Sequence, residues 1–216
     1  KNINQSLDSN DRFGFSVSLD GNRLAVGAQY DDGNGGSSDS GAVYLYTFSN
    51  STFSGGALAA RIGEGYTGGK NINQSLDSSD RFASDVSLDG NRLAVGARND
   101  DGNGGSSNSG AVYLYTFSDS VFSDGALAAR IGEGYTGGKN INQSLDSGDQ
   151  FGKAVSLDGN RLAVGAQYDD GNGGSSNSGG VYLYTFSDSV FSGGALAARI
   201  GEGYTGGKNI NQSLDS

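Results

Sequence analysis

The residues best suited to chemistry are acids and amides set among glycines. DDGNGG occurs at 31–36, 100–105 and 169–174. Asp31, Asp32 and Asn34, with their copies Asp100, Asp101, Asn103 and Asp169, Asp170, Asn172, offer oxygen donors beside glycines that permit a sharp bend. Calcium favours such a loop. The same side chains can instead bond their own backbone and shape a solvated turn. No acid closes the loop with a bidentate grip, since Asp39 gives way to Asn108 and Asn177. We therefore assign no metal or cofactor residue, and calcium stays a candidate at these loops only. A second acidic pair, Asp8 and Asp11, recurs as Asp77/Asp80 and Asp146/Asp149. It is expected to shape the turn that follows, with Arg12 or Arg81 nearby.

Catalytic chemistry is poorly supplied. The chain has no His and no Cys, so no side chain titrates near neutrality at its ordinary pKa, and no thiolate or imidazole can hold a metal. The glutamates are Glu64, Glu133 and Glu202, in one repeated context. A glycosidase needs two carboxylates in unlike environments, and equivalent units supply like ones. Serines abound without a base to activate them. We expect no enzyme and name no catalytic residue. Tyr44 and Tyr46 could stack sugars, but aromatics in strands more often pack between neighbouring sheets.

These residues recur because the whole chain does. KNINQSLDS begins at Lys1, Lys70, Lys139 and Lys208, a spacing of 69. The units are 1–69, 70–138 and 139–207, with 208–216 starting a fourth. Units this small must stack to bury apolar surface. Hydrophobic content is only 34% with 39 glycines, but the apolar residues sit in short β-type runs, which argues against disorder. The net charge of −10 argues against nucleic acid or an anionic membrane as partner. No run of 18 apolar residues exists, so no membrane insertion is expected. The lack of Cys, Met and Trp suits a long-lived material outside the cell.

Within a unit, FGFSVSL (13–19) alternates, with Phe13, Phe15, Val17 and Leu19 on one face. Asp20-Gly21 then predicts a tight type I′ hairpin into RLAVGA at 23–28. A polar loop (29–41) leads to AVYLYTF (42–48), with Val43 and Leu45 opposite Tyr44 and Tyr46. ALAARI (57–62) is the fourth strand, too short and glycine-bounded for a helix. INQSL (72–76) can add a short extended piece. The fold class is all-β: tandem four-stranded antiparallel blades of the β-propeller kind.

FG at 13–14, VGA at 26–28 and GAVYLY at 41–46 resemble the FG-GAP repeat of integrin α-subunit propellers and their bacterial relatives. The resemblance covers about residues 8–62 and both copies, and it implies propeller blades. The sequence departs from it in three places. Gln29, Arg98 and Gln167 replace the family's proline, and unit two reads Phe82-Ala83. Where integrin-type blades carry a calcium loop between the first two strands, this chain has only Leu19-Asp20-Gly21-Asn22.

The units differ at a few loop and strand-edge positions, so they build equal surfaces rather than one asymmetric pocket. The expected protein is an extracellular or cell-surface structural or adhesive repeat protein. Its partner is itself, through repeat–repeat contacts that form a fibre, sheath or long array. The alternative is a closed propeller that binds a protein or glycan ligand.

Overall fold

The computed structural model describes residues 3, 6–35, 37–104, 106–173 and 175–212. The glycines that end the DDGNGG runs and the last four residues of 208–216 lie outside them. Each unit forms one sheet. The first holds β1 (Ser16–Asp20), β2 (Arg23–Ala28), β3 (Ala42–Thr47), β4 (Ala57–Gly63) and β5 (Ile72–Asn73). The second holds β6 (Phe82–Asp89), β7 (Arg92–Ala97), β8 (Ala111–Thr116), β9 (Ala126–Gly132) and β10 (Ile141–Asn142). The third holds β11 (Phe151–Asp158), β12 (Arg161–Ala166), β13 (Gly180–Thr185), β14 (Ala195–Gly201) and β15 (Ile210–Asn211).

Strands lie side by side in chain order. The first four of each sheet are antiparallel, as expected. INQSL supplies a two-residue fifth rung, parallel to the fourth strand: Ile62 pairs with Ile72 and Gly63 with Asn73. No helix occurs among the described residues.

Local chemistry explains the turns. Asp20 pairs with Arg23, leaving a two-residue loop. Gly21 has φ +57° while Asn22 does not take the left-handed region, which is the pattern of a type II′ turn rather than I′. The first strand is also shorter than its alternation suggests. Arg12 and Gly14 have φ +54° and +88°, and the Phe15 N–H donates to the Arg12 carbonyl at 3.0 Å. Phe15 therefore belongs to a turn and leaves the expected apolar face. In the second blade the same irregularity is a bulge between Phe82 and Asp85.

The two faces of a blade are both apolar, and each needs a neighbour. The leading face of the second blade buries Leu76, Phe82, Val86 and Leu88 against Val43, Leu45 and Ile62 on the trailing face of the first. The third blade repeats this with Leu145, Phe151, Val155 and Leu157 against Val112, Leu114 and Ile131. Full burial of one such side chain contributes about 1.5–3 kcal/mol. The edge strands β1, β6 and β11 pack in succession. Lys153 Nζ lies 5.6 Å from the Phe15 ring centre, so all three blades gather about one hub.

The glycine of RLAVGA has a specific task here. A Cβ on Gly96 would lie 1.8 Å from the Gly152 carbonyl oxygen, and one on Gly27 would lie 2.6 Å from that of Ala83. The next blade's backbone rests on this position.

Candidate functional site

The acidic loops are spent on their own fold. The buried Asp31 carboxylate accepts the Gly33 N–H at 2.7 Å, Tyr44 Oη at 2.6 Å and Tyr66 Oη at 2.9 Å. Asp100 does the same with Gly102, Tyr113 and Tyr135 at 2.7, 2.5 and 2.9 Å. Asp169 accepts from Gly171, Tyr182 and Tyr204. Asp32 accepts the Asp39 N–H at 2.6 Å. Asn34 instead donates from Nδ2 to the Gly65 carbonyl at 3.4 Å. The three candidate oxygen donors thus point to three different partners. Among the described residues no cluster of three or more acidic side chains is disposed to hold a metal ion. The glutamate of each unit clips the same loop: Glu64 Oε2 accepts the Ser37 N–H at 2.8 Å, and Glu133 and Glu202 repeat this on Ser106 and Ser175.

The second acidic pair shapes its turn as expected. The Asp8, Asp77 and Asp146 N–H groups donate to Asp11, Asp80 and Asp149 at 2.7, 2.7 and 2.8 Å. Asp80 lines a polar cleft of about 270 Å³ with Asp77, Asp100, Asp101 and Tyr135. Burial, then the nearby Asp100 charge, pushes its pKa up to about 7. Burial likewise raises Asp149 to about 6 and pushes Asp11 upward. Burial raises Tyr66 and Tyr204 to about 12, so these hydroxyls stay protonated donors.

The chemistry that recurs between units is recognition of one blade by the next. β1 is an edge strand, and its trailing side chains bond the edge of β6. Leu88 N–H donates to Ser18 Oγ and Gly90 N–H to Asp20 Oδ2, both at 2.9 Å. Leu157 N–H to Ser87 Oγ and Gly159 N–H to Asp89 Oδ2 repeat the pair at 2.9 Å. Ser16 Oγ donates to the Ala83 carbonyl, and Ser84 Oγ to that of Gly152, each at 3.0 Å. A blade edge that would otherwise offer open backbone groups is capped in this way.

Long side chains extend the contact. Arg92 pairs with Asp89, donates to the Gly159 carbonyl at 2.6 Å and lies 5.8 Å from the Phe191 ring. Lys70 Nζ donates to the Val121 carbonyl, and Lys139 Nζ to that of Val190, at 2.6 Å. Tyr115 Oη donates to Gln74 Oε1 at 2.8 Å and Tyr184 Oη to Gln143 Oε1 at 2.7 Å, so the second strand tyrosine binds the segment entering its blade. Arg81 stacks on Tyr30 of the preceding blade at 3.8 Å and pairs with Asp39 at 3.0 Å. At the next junction Asn99 and Gln150 stand in those places.

Sequence reasoning placed Tyr44 and its copies in packing and the second acids in a turn. It missed Ser16, Ser18, Asp20 and the Tyr30–Arg81 stack. The available signal was polar alternation opposite the apolar face, together with the paired Tyr-to-Asn and Arg-to-Gln changes between units.

The fold is that of β-propeller-like blades repeated in tandem. The FG-GAP repeat family matches residues 7–46, 76–115 and 145–184. This covers more than half of the chain, which belongs to that family. Among curated proteins the chain matches none.

Proposed function

We propose that this chain is a non-enzymatic structural or adhesive repeat protein of the extracellular space or cell surface, and that it works by assembly of its blades into a fibre, sheath or long array. One observation carries the reading. The apolar core of the blade-to-blade junction and its Ser18/Asp20-type edge bonds are built twice from equivalent residues, and every blade owns both halves of these. A surface that both gives and receives one contact propagates. Repeats of this family occur generally in extracellular and surface proteins, which agrees with a chain lacking easily oxidised side chains. The carboxylates that could serve catalysis are bonded to backbone N–H and tyrosine hydroxyl groups instead. Electron microscopy of the native material tests the proposal: continuous filaments with a regular axial repeat are expected, and monodisperse discs overturn it.

A closed ring that presents loops to a protein or glycan is the second reading. The reach of Lys153 to Phe15 across the hub favours it, because tight curvature brings the ends of the blade series round. Discs in the same micrographs select it.

A further inference from the structure

The leading face of the first blade and the trailing face of the third repeat the two halves of the internal junction. On the leading face of the first blade, Leu7, Val17, Leu19 and Phe53 are exposed. Their counterparts Leu76, Val86, Leu88 and Phe122 are buried at the first junction, and Leu145, Val155, Leu157 and Phe191 at the second. The trailing face of the third blade holds two clefts of matching position. One, of about 440 Å³, is lined by Gly165, Gly179, Val181 and Ile200. Its equivalents one blade earlier seat the Phe151-Gly152 backbone, which lies against Gly110 and Gly96. The other, of about 500 Å³, is lined by Ser156, Ala163, Leu183 and Ala198. Its equivalents Ala94, Leu114 and Ala129 share a core with Val155 and Leu157.

The polar halves match as well. Ser156 and Asp158 stand where Ser87 and Asp89 accept the edge N–H groups of β11. Leu19 and Gly21 stand where Leu88 and Gly90 donate theirs. Arg161 has 74% of its side chain exposed, against 10% for Arg92, so it lacks the blade that Arg92 grips. The pattern of changes between units fixes the order. A blade with Tyr at position 30 is followed by one with Arg at position 81; a blade with Asn99 is followed by one with Gln150. The third blade carries Tyr168, half exposed, and the blade that offers a matching arginine is the first, with Arg12, whose guanidinium lies 4.2 Å from the ring centre of its own Tyr30.

We infer that a second copy of this chain docks head to tail, seating the Leu7–Val17–Leu19 face of its first blade on the trailing face of the third. The inference rests on the assembly reading and adds its partner, polarity and residues. Phe13 and Gly14 enter the smaller cleft, and Val17 and Leu19 the larger. Arg12 turns toward Tyr168 the guanidinium face not stacked on Tyr30, Arg161 reaches Phe53, and Lys208 takes the place at the 51–53 turn that Lys70 takes at Val121. Lys153 and Ala154 replace the Ser84-Asp85 pair on this face, so one interblade serine bond is missing. The joint between copies is accordingly weaker than the joints within one.

Sedimentation velocity of the 216-residue chain over a concentration series tests this, with Leu19→Glu (leading face) and Leu183→Glu (trailing face). The parent chain is expected to grow beyond its 22.0 kDa monomer, by closed rings or open chains. Each variant alone is expected to associate at least tenfold more weakly. Mixed in equal amounts, the two share one intact joint and should stop at a pair. Circular dichroism checks folding, and the milder pair Phe53→Ser and Tyr168→Ser gives the same pattern with a smaller shift if either charge variant unfolds. A parent chain that stays monomeric to millimolar concentration overturns the inference. So do variants that associate like the parent; in that case assembly stands by another surface and only the head-to-tail joint falls.

Discussion

The leading faces of the first and second blades have nearly the same sequence and opposite environments. Val17 and Leu19 are 62% and 55% exposed, whereas Val86 and Leu88 are 3% and 6% exposed. Nothing in the strand itself makes the difference. What differs is whether Val43, Leu45 and Ile62 of another blade lie opposite. The hydrophobic pattern of one repeat thus specifies a surface, and the neighbour converts that surface into a core. Stability should follow the junctions rather than the blades, as in other arrays where nearest-neighbour terms dominate.

Substitutions at equivalent positions break this comparison directly. Phe151→Ala empties a fully buried site and should cost about 3–5 kcal/mol in urea unfolding. Phe13→Ala, half buried, should cost clearly less. Leu88→Ala should cost about 2–5 kcal/mol, while Leu19→Ala should stay within about 0.5 kcal/mol; equal losses would mean that the junction is not where stability resides. Gly96→Ala forces the next blade's backbone to move and should cost about 1–3 kcal/mol. Gly165→Ala, whose added carbon meets only Ala154 at 3.3 Å, should be nearly neutral.

Acidity sharpens the same contrast. Asp80 is raised to about 7 by burial and then by the nearby Asp100 charge. A carboxyl whose folded pKa lies above its unfolded value stabilises most when protonated. Its contribution is full below about pH 4 and is lost as pH rises through about 7. Thermal midpoints should therefore fall between pH 4 and pH 7, and Asp80→Asn, which keeps an acceptor for the Asp77 N–H, should flatten that slope. An unchanged slope would remove Asp80 as its source. The smallest effect is expected at the arginines. Arg161→Ala should change stability by less than about 0.5 kcal/mol, as exposed ion pairs do, and Arg92→Ala by more, because it also frees the Gly159 carbonyl.

Much of this was legible in the letters. The 69-residue register gave the units, alternation gave β3, an aliphatic run after Asp-Gly gave the hairpin into β2, and a short glycine-bounded run gave β4. What escaped notice depends on residues far along the chain. Ser18 looks like the wet side of a half-buried strand, because its donor, the Leu88 N–H, is 70 positions away. Phe15 continues an alternation on paper, yet the positive φ at Arg12 and Gly14 turns the chain before the strand starts. The calcium-like spacing of Asp31, Asp32 and Asn34 was read as a set of oxygens open either to an ion or to the backbone. Its use was decided by Tyr66, which folds back from beyond the fourth strand to occupy the carboxylate.

The bonds between the first strands of successive blades link residues 67 to 70 positions apart. This uniform span has a consequence for synthesis. Each blade needs only the one before it as a template, so order can spread along the chain as it emerges. The loop to be closed at each step keeps the same size however many units precede it. Lengthening such a protein by duplication adds material without making the last unit any harder to fold than the second.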